Sequence, residues 1–203
     1  MSYVGGDGRT RCDWSGFANT NTAEYIRYHD EEWGRPVRNG RALWEKLILD
    51  GMQAGLSWST ILNKRDTIYA AFDGLDPHRV AHYGEAEMAR LLSDPGIIRS
   101  RAKCAAAIGN AQAYLAMEPE FADFIWGFTD GRQVVNRWER CEDAPTQTDT
   151  SAAMSRELKR RGFKFVGPTI CYAFMQAVGI VNDHEVDCHA YRDCIQAPGR
   201  SQP

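Results

Sequence analysis

Apolar side chains recur along most of this chain at intervals of three and four residues, the spacing of one face of an α-helix. In residues 41–56, for example, the apolar positions at this spacing are Leu43, Leu47, Ile48 and Met52. Segments with a helical pattern cover residues 23–33, 41–56, 59–72, 85–93, 99–117, 151–161 and 168–178. Only GRQVVNRW (131–138) hints at a β-strand. The pattern therefore predicts an all-α protein.

The length of 203 residues suits one compact domain, or one compact unit of two small lobes, with its own core. Residues 1–10 are predicted to be a disordered leader because they are rich in glycine, and residues 195–203 a flexible tail. The single domain then spans 11–194. No apolar run approaches the roughly 20 residues needed to span a bilayer, and the N-terminus lacks the apolar segment of a secretory signal. We therefore expect a cytoplasmic protein without a membrane partner.

The formal net charge of −3 gives no indication of a nucleic-acid partner. Any contact with DNA must come from a local basic surface. In a reducing cytoplasm, the six cysteines are expected to be thiols or metal ligands rather than disulfides.

A histidine and a cysteine lie four residues apart in HEVDC, as His184 and Cys188. Residues four apart share a face of a helix or a tight turn, so both can reach one ion. Cys12 and His29 can complete a tetrahedral zinc site that joins the two ends of the chain, although other pairings use Cys194 and His189. Surface histidines and idle thiols are the alternative. Four protein ligands leave no open position, so such a zinc would be structural.

Aromatic residues are dense near the start of the chain: Trp14, Tyr25, Tyr28, Trp33, Trp44 and Trp58. Tyr25 and Tyr28 share a helix face. A plain aromatic core explains the density. The alternative is a pocket that stacks a planar ligand, as in enzymes that read a flipped base, where a cationic purine would gain further attraction from the ring faces.

A basic turn follows the helical pattern of residues 151–161, with the sequence KRRGFKFVGPT (159–169). Phe163 and Phe165 are expected to turn inward, and Gly167-Pro168 to begin the next helix. A helix-hairpin-helix of this kind presents backbone N–H groups and a helix N-terminus to a phosphate. The alternative is a solvated basic helix end. A second basic run, with Arg99, Arg101 and Lys103, is placed to contact the same DNA backbone.

The segment LDGMQAGLSW (49–58) carries a carboxylate, Asp50, at the end of an apolar helical face. An unpaired carboxylate is costly there, unless Asp50 simply caps the helix end. Gly55-Leu56-Ser57 forms a flexible tip, and a leucine on such a tip can wedge into a stack of bases.

Several motifs in order closely resemble the bacterial 3-methyladenine DNA glycosylase I family of the helix-hairpin-helix superfamily: YHDEEWG (28–34), QAGLSW (53–58), GIIRSRAKCAAAIGNAQAY (96–114), RGFKFVG (161–167) and GIVNDH (179–184). The resemblance covers roughly residues 11–191. It implies a helix-hairpin-helix glycosylase fold with the hairpin motif at about 155–179, and one structural Zn²⁺ bound by Cys12, His29, His184 and Cys188. It also implies a base pocket formed by Trp14, Tyr25, Tyr28, Trp33 and Trp58, with DNA contacts at Gly55, Leu56, Ser57, Gly162, Lys164 and Gly167.

The acidic residue that contacts the base in this family falls on Asp50, where glutamate is usual, and Met52 stands where glutamine is common. Aspartate is one methylene shorter, which moves the carboxylate by about an ångström, a displacement that can cost much rate. The resemblance implies a monofunctional enzyme that hydrolyses the N-glycosidic bond of 3-methyladenine in double-stranded alkylated DNA and releases the free base, with Asp50 as the catalytic carboxylate.

A lyase activity would need a lysine beside the aromatic residues, and the motif segments that hold them contain none. A monomer is expected. Alternatives are a non-catalytic, zinc-stapled module that binds damaged DNA, a glycosylase for another alkylated base, and an enzyme with a catalytic zinc.

Overall fold

The computed structural model describes residues 3–13 and 23–195. Helices dominate these ranges, as the apolar spacing predicts. They are α1 (Ala23–Glu31), α2 (Gly40–Gln53), α3 (Trp58–Asn63), α4 (Arg65–Ala71), α5 (Pro77–Val80), α6 (Glu85–Ser93), α7 (Arg101–Leu115), α8 (Phe121–Gly127), α9 (Asp149–Arg160), α10 (Pro168–Ala177) and α11 (Ala190–Asp193). None of these helices is both long and apolar enough to cross a membrane.

Two small β-ladders accompany the helices. Strands β1 (Tyr3–Val4) and β2 (Thr10–Arg11) are antiparallel, and they replace the disordered leader that the sequence predicts for residues 1–10, within the part that is described. The hairpin is held by Arg11, which donates to both Asp7 and Asp30. Strands β3 (Val134–Val135) and β4 (Val181–Asn182) are parallel, so the weak strand pattern of 131–138 is confirmed for two residues. The predicted tail lies beyond the described residues, apart from Ile195.

Helix α2 lies at the centre of the main hydrophobic core. It is buried along most of its length and contacts α3, α7, α8 and α10. Asn39 caps its N-terminus by accepting a hydrogen bond from the Ala42 N–H. Because α2 is anchored on several sides, its side chains near residue 50 are held in fixed directions.

Helices α9 and α10 pack against each other and are joined by residues 161–167. Phe163 is buried as predicted, but Phe165 is only half-buried and has a left-handed backbone, with φ of 55°. This conformation places Phe165 against Gly51 of α2, where a Cβ would lie 3.4 Å from the Cβ and the carbonyl oxygen of Phe165. The turn is thereby fixed against the helix that carries Asp50.

Two glycines allow the end of α1 to approach the segment after α10. Gly179 has a φ of 68°, and a Cβ there would lie 2.3 Å from the carbonyl carbon of Arg35. At Gly34, with a φ of 79°, a Cβ would lie 2.9 Å from the His184 ring. Any side chain would push these segments apart, so both glycines bring His184 close to α1.

Candidate active site and metal cluster

A small cavity of about 230 Å³ lies where α1, α2, α3 and α10 meet. Its wall is aromatic and polar, with Tyr25, Tyr28, Trp33, Trp58, Lys46, Asp50, Gln53, Gln176 and Asp183 among the lining residues. This volume is below the roughly 300–1,000 Å³ of pockets for drug-sized ligands. The cavity therefore suits one small planar molecule.

Four of the five aromatic residues predicted for a pocket line this cavity, and the fifth, Trp14, lies outside the described residues. The rings of Tyr28 and Trp58 are 5.1 Å apart and tilted by 43°. Trp33 contacts the ring of His184 edge-on, with centroids 4.5 Å apart. It therefore lies between the cavity and the cluster of cysteine and histidine side chains described below. Trp44 belongs instead to the core, where its indole N–H donates to the Asn110 carbonyl.

Asp50 lies within α2 and is only 2% exposed. Its Oδ1 accepts a hydrogen bond from the Lys46 ammonium, while Oδ2 is buried without a hydrogen-bond partner in the ranges 3–13 and 23–195. Burial raises the pKa of Asp50, and the charge of Lys46 opposes that rise. An unpaired buried carboxylate oxygen is expensive, so this atom is a ready acceptor for the N–H group of a ligand.

Lys46 reaches the cavity from a position one turn before Asp50. Its ammonium also lies 4.0 Å from the ring centroid of Trp58, which is cation–π distance. The motif segments contain no lysine beside the aromatic residues, but the folded pocket does contain one. The absence of lysine from the motif segments therefore does not by itself exclude a lyase. In the sequence, the i, i+4 spacing of Lys46 and Asp50 within one helical pattern indicates that the two side chains lie together.

Asp183 also lines the cavity, but its carboxylate is fully engaged. It accepts hydrogen bonds from Asn136 and Trp138 at Oδ1 and from Tyr172 and Gln176 at Oδ2, over 2.7–2.8 Å. Four donors hold this carboxylate in place. Asp183 therefore organises the wall, whereas Asp50 retains free acceptor capacity; sequence reasoning missed Asp183 although it lies in the GIVNDH motif.

Cys12, His29, His184 and Cys188 form a buried cluster whose donor atoms all lie within 4.8 Å of one another. The Sγ atoms of Cys12 and Cys188 are 3.3 and 3.5 Å from His184 Nδ1, and Cys188 Sγ is 3.6 Å from His29 Nε2. Ideal tetrahedral Zn–S and Zn–N bonds would put sulfur and nitrogen about 3.5 Å apart. The four side chains therefore fit one zinc ion.

The other ring nitrogen of each histidine is already engaged, which orients the ligating nitrogen. His29 Nδ1 lies 2.8 Å from Asp30 Oδ1, and His184 Nε2 lies 3.1 Å from the Trp33 carbonyl. Such contacts fix the tautomer of metal-binding histidines. The competing candidates are placed elsewhere: His189 lies against Asp30, and the Cys194 thiol faces the Trp33 carbonyl.

The two thiols of the cluster differ in acidity. Burial raises the pKa of Cys12, whereas a hydrogen bond from the Cys12 thiol lowers the pKa of Cys188. A divalent cation stabilises both as thiolates. The donor set is therefore suited to a soft metal in a closed, four-ligand site.

The residues predicted to contact DNA lie at exposed turns. Leu56 is 41% exposed on the tip between α2 and α3, where Gly55 has a φ of 76° and Ser57 caps α3. Lys164 is exposed, while its backbone N–H and carbonyl are both held by the Asn110 amide. Gly167 caps α10 without a side-chain hydrogen bond, so the amides of that helix's first turn can bind an anion.

One residue of the second basic run, Lys103, is engaged within the protein. The Lys103 ammonium donates to the carbonyls of Met52 and Ala54 at 2.8 and 2.7 Å, at the end of α2. It therefore supports the tip that carries Leu56, while Arg99 and Arg101 stay exposed.

The sequence profile described as "Methyladenine glycosylase" matches residues 18–191, and the chain belongs to the methyladenine glycosylase family. DNA-3-methyladenine glycosylase 1 of Escherichia coli (strain K12) is 48% identical over 184 residues, which are 89% of this chain and 96% of that protein. The fold is similar to a crystal structure of 3-methyladenine DNA glycosylase I, with a TM-score of 0.84, 49% identity, and 88% and 98% of the two chains covered. It is also similar to the Staphylococcus aureus enzyme, whose structure concerns recognition of 3-methyladenine, with a TM-score of 0.81, 35% identity, and 84% and 92% covered.

Proposed function

We propose that this protein is a monofunctional DNA glycosylase that hydrolyses the N-glycosidic bond of 3-methyladenine in alkylated double-stranded DNA, in base excision repair. The observation that carries the proposal is Asp50 Oδ2, a buried carboxylate oxygen without a partner among the described residues, in a small aromatic cavity. The family and the names of the relatives support the same substrate.

The reaction requires few catalytic groups from the protein. Methylation at N3 makes the adenine of the nucleotide a cation, which is a good leaving group without protonation. The enzyme extrudes the nucleotide, stacks the base against Tyr28 and Trp58, and accepts a base N–H group with Asp50. As the bond between C1′ and N9 breaks, its electron pair passes to the base and positive charge passes to the sugar. Water then adds to C1′ and loses a proton, leaving an abasic site and neutral 3-methyladenine.

The DNA-binding surface combines two turns. In the proposed helix-hairpin-helix, α9 and α10 with residues 161–167 between them, the backbone around Gly162 and Gly167 grips a phosphate with Lys164 nearby. Leu56, on its narrow tip with Gly55 and Ser57, fills the gap left by the flipped nucleotide. The exposure of Leu56 and Lys164 supports both roles.

One structural zinc would be held by Cys12, His29, His184 and Cys188. The metal would supply no chemistry to the reaction. It would join the N-terminal segment and α1 to the segment after β4, and thus fix Trp33, whose ring and carbonyl contact His184.

The catalytic unit is proposed to be a single domain of residues 11–194 with two helical lobes, acting as a cytoplasmic monomer. The described residues contain one large hydrophobic cluster and one smaller cluster around the metal donors, and Trp58 packs against both. Cysteine thiols suit a reducing compartment, and all six cysteines are free.

Chromatography of the bases released from methylated DNA tests the proposal. The wild-type protein is expected to release 3-methyladenine, Asp50→Ala to release far less, and Asp50→Glu, which restores the family's usual residue, to retain activity. Binding of methylated DNA without release of any base would identify a damage-binding module instead, and release of a different base would change the assigned substrate.

A further inference from the structure

Lys46 is a charged cavity residue that the proposed reaction does not use. It precedes Asp50 by four residues, so both side chains lie on one face of α2. The lysine side chain is 15% exposed, and its ammonium is held between the Asp50 carboxylate and the face of Trp58. Burial of an ammonium group is costly, so the position of Lys46 in the cavity calls for a functional explanation.

Because of the Lys46 ammonium, the two carboxylate oxygens of Asp50 have different environments. Oδ1 is bound to Lys46, and Oδ2 stays without a partner in the described part of the chain. A carboxylate bound through one oxygen can no longer rotate freely, so its second oxygen keeps one direction.

The pair also decides the charge of Asp50. Burial alone raises the pKa of Asp50, and Lys46 is the group that opposes this rise. Burial lowers the pKa of Lys46, and Asp50 opposes that change in turn. Each group therefore keeps the other charged. Among the described residues, the other titratable or charged groups that face this pair or line its cavity are Tyr25, Tyr28, Glu32, Arg65, Cys141, Cys171 and Asp183.

We propose, on the basis of the proposed function, that Lys46 is a positioning residue for base excision: its ammonium holds Asp50 as an anion and turns Oδ2 towards the flipped base. The ammonium also favours bond cleavage over substrate binding. Before cleavage the pocket holds two cations, the base and Lys46, beside one anion. As the C1′–N9 bond breaks, the electron pair passes to the base and the positive charge moves to the sugar, so the repulsion between the base and Lys46 weakens on the way to the transition state.

The test is single-turnover excision of 3-methyladenine from methylated DNA as a function of pH. Lys46→Met keeps the length of the side chain and removes its charge. We expect excision at neutral pH to be slower by about tenfold to a hundredfold, the scale of a misplaced catalytic group. Because the ionised Asp50 is the active form and loss of Lys46 raises its pKa, the rate of this variant should rise with pH where the wild-type rate is flat. Affinity for neutral, free 3-methyladenine should fall much less.

Two further variants separate positioning from folding. Lys46→Arg keeps a permanent charge, and it should restore the flat pH profile. Lys64→Met removes a lysine that contacts the Pro95 carbonyl on the surface and should leave rate and profile unchanged. Thermal melting of each variant reports whether the fold is retained.

The proposal is overturned if Lys46→Met matches the wild-type rate and pH profile, or if its rate falls by the same factor at every pH. Trapping of the wild-type protein on abasic DNA by borohydride through Lys46 would also overturn it, because the lysine would then be a nucleophile. Failure of the wild-type protein to release any 3-methyladenine is a different result, and it would refute the proposed function itself.

Discussion

Replacing Asp50 by asparagine keeps the size of the side chain, removes its charge and turns one acceptor into a donor. In the structure, the Asp50 carboxylate is buried, and its oxygen Oδ2 has no hydrogen-bond partner within the described residues. If that oxygen accepts an N–H group of the base, the substitution removes the hydrogen bond and leaves a donor facing a donor. It also leaves the Lys46 ammonium without its anion.

The expected size of the effect follows from two losses, the hydrogen bond to the base and the charge attraction between Asp50 and the base. A hydrogen bond to a charged group contributes about 1.5–3 kcal/mol, which corresponds to about 10- to 150-fold in rate. The second loss is the charge attraction between Asp50 and the cationic base. Its upper bound, for unit charges at about 4 Å and an effective dielectric constant of 20, is about 4 kcal/mol. Entry of the cationic base of the DNA substrate into the pocket loses both contributions, and excision at subsaturating protein includes that entry, whereas the free base is neutral and loses only the hydrogen bond. We therefore expect excision to fall more than binding of free 3-methyladenine.

Single-turnover release of the base from methylated DNA measures the first quantity, and quenching of tryptophan fluorescence by 3-methyladenine measures the second. Asp50→Glu is the matched control, because it keeps the charge. Excision by Asp50→Asn at the wild-type rate would show that Asp50 is a structural carboxylate, and the aromatic wall alone would then have to explain selectivity.

Three further predictions concern the metal and the DNA surface. Protein purified without chelator should contain about one zinc per chain, and Cys188→Ser should lose the metal and lower the melting temperature; a folded, fully active protein without metal would contradict the structural role. Lys164→Glu should weaken binding to all DNA sequences alike and flatten its salt dependence, whereas an effect confined to one base context would argue against a backbone contact. Leu56→Ala should slow excision from duplex DNA with a change in stability of only about 0.5 kcal/mol, while the buried Leu49→Ala should cost about 2–5 kcal/mol. Equal destabilisation by both would make Leu56 a packing residue.

The sequence alone determined most of the helical segments and the chemical types at the site. Periodicity is a local property, so the helical patterns could be located without knowledge of the fold. Short motifs also identified the residues to examine, including Asp50, Leu56 and the basic turn. Helix α8 and the hairpin of β1 and β2 were not foreseen, because α8 is short and the hairpin depends on Arg11 reaching Asp30 across 19 residues.

Only the tertiary structure decided which of these residues meet. Cys12 and His184 are 172 residues apart, yet they meet in the folded protein; the close approach at Gly34 and Gly179 brings His184 against α1, and Cys194 and His189 lie outside the group of four donors. Lys46 and Asp50 share a face of α2 in any helix, but whether that face meets solvent or an aromatic cavity depends on how α1, α3 and α10 pack against it. Spacing along the chain specifies local geometry, whereas burial and the pKa shifts that follow from it belong to the assembled fold.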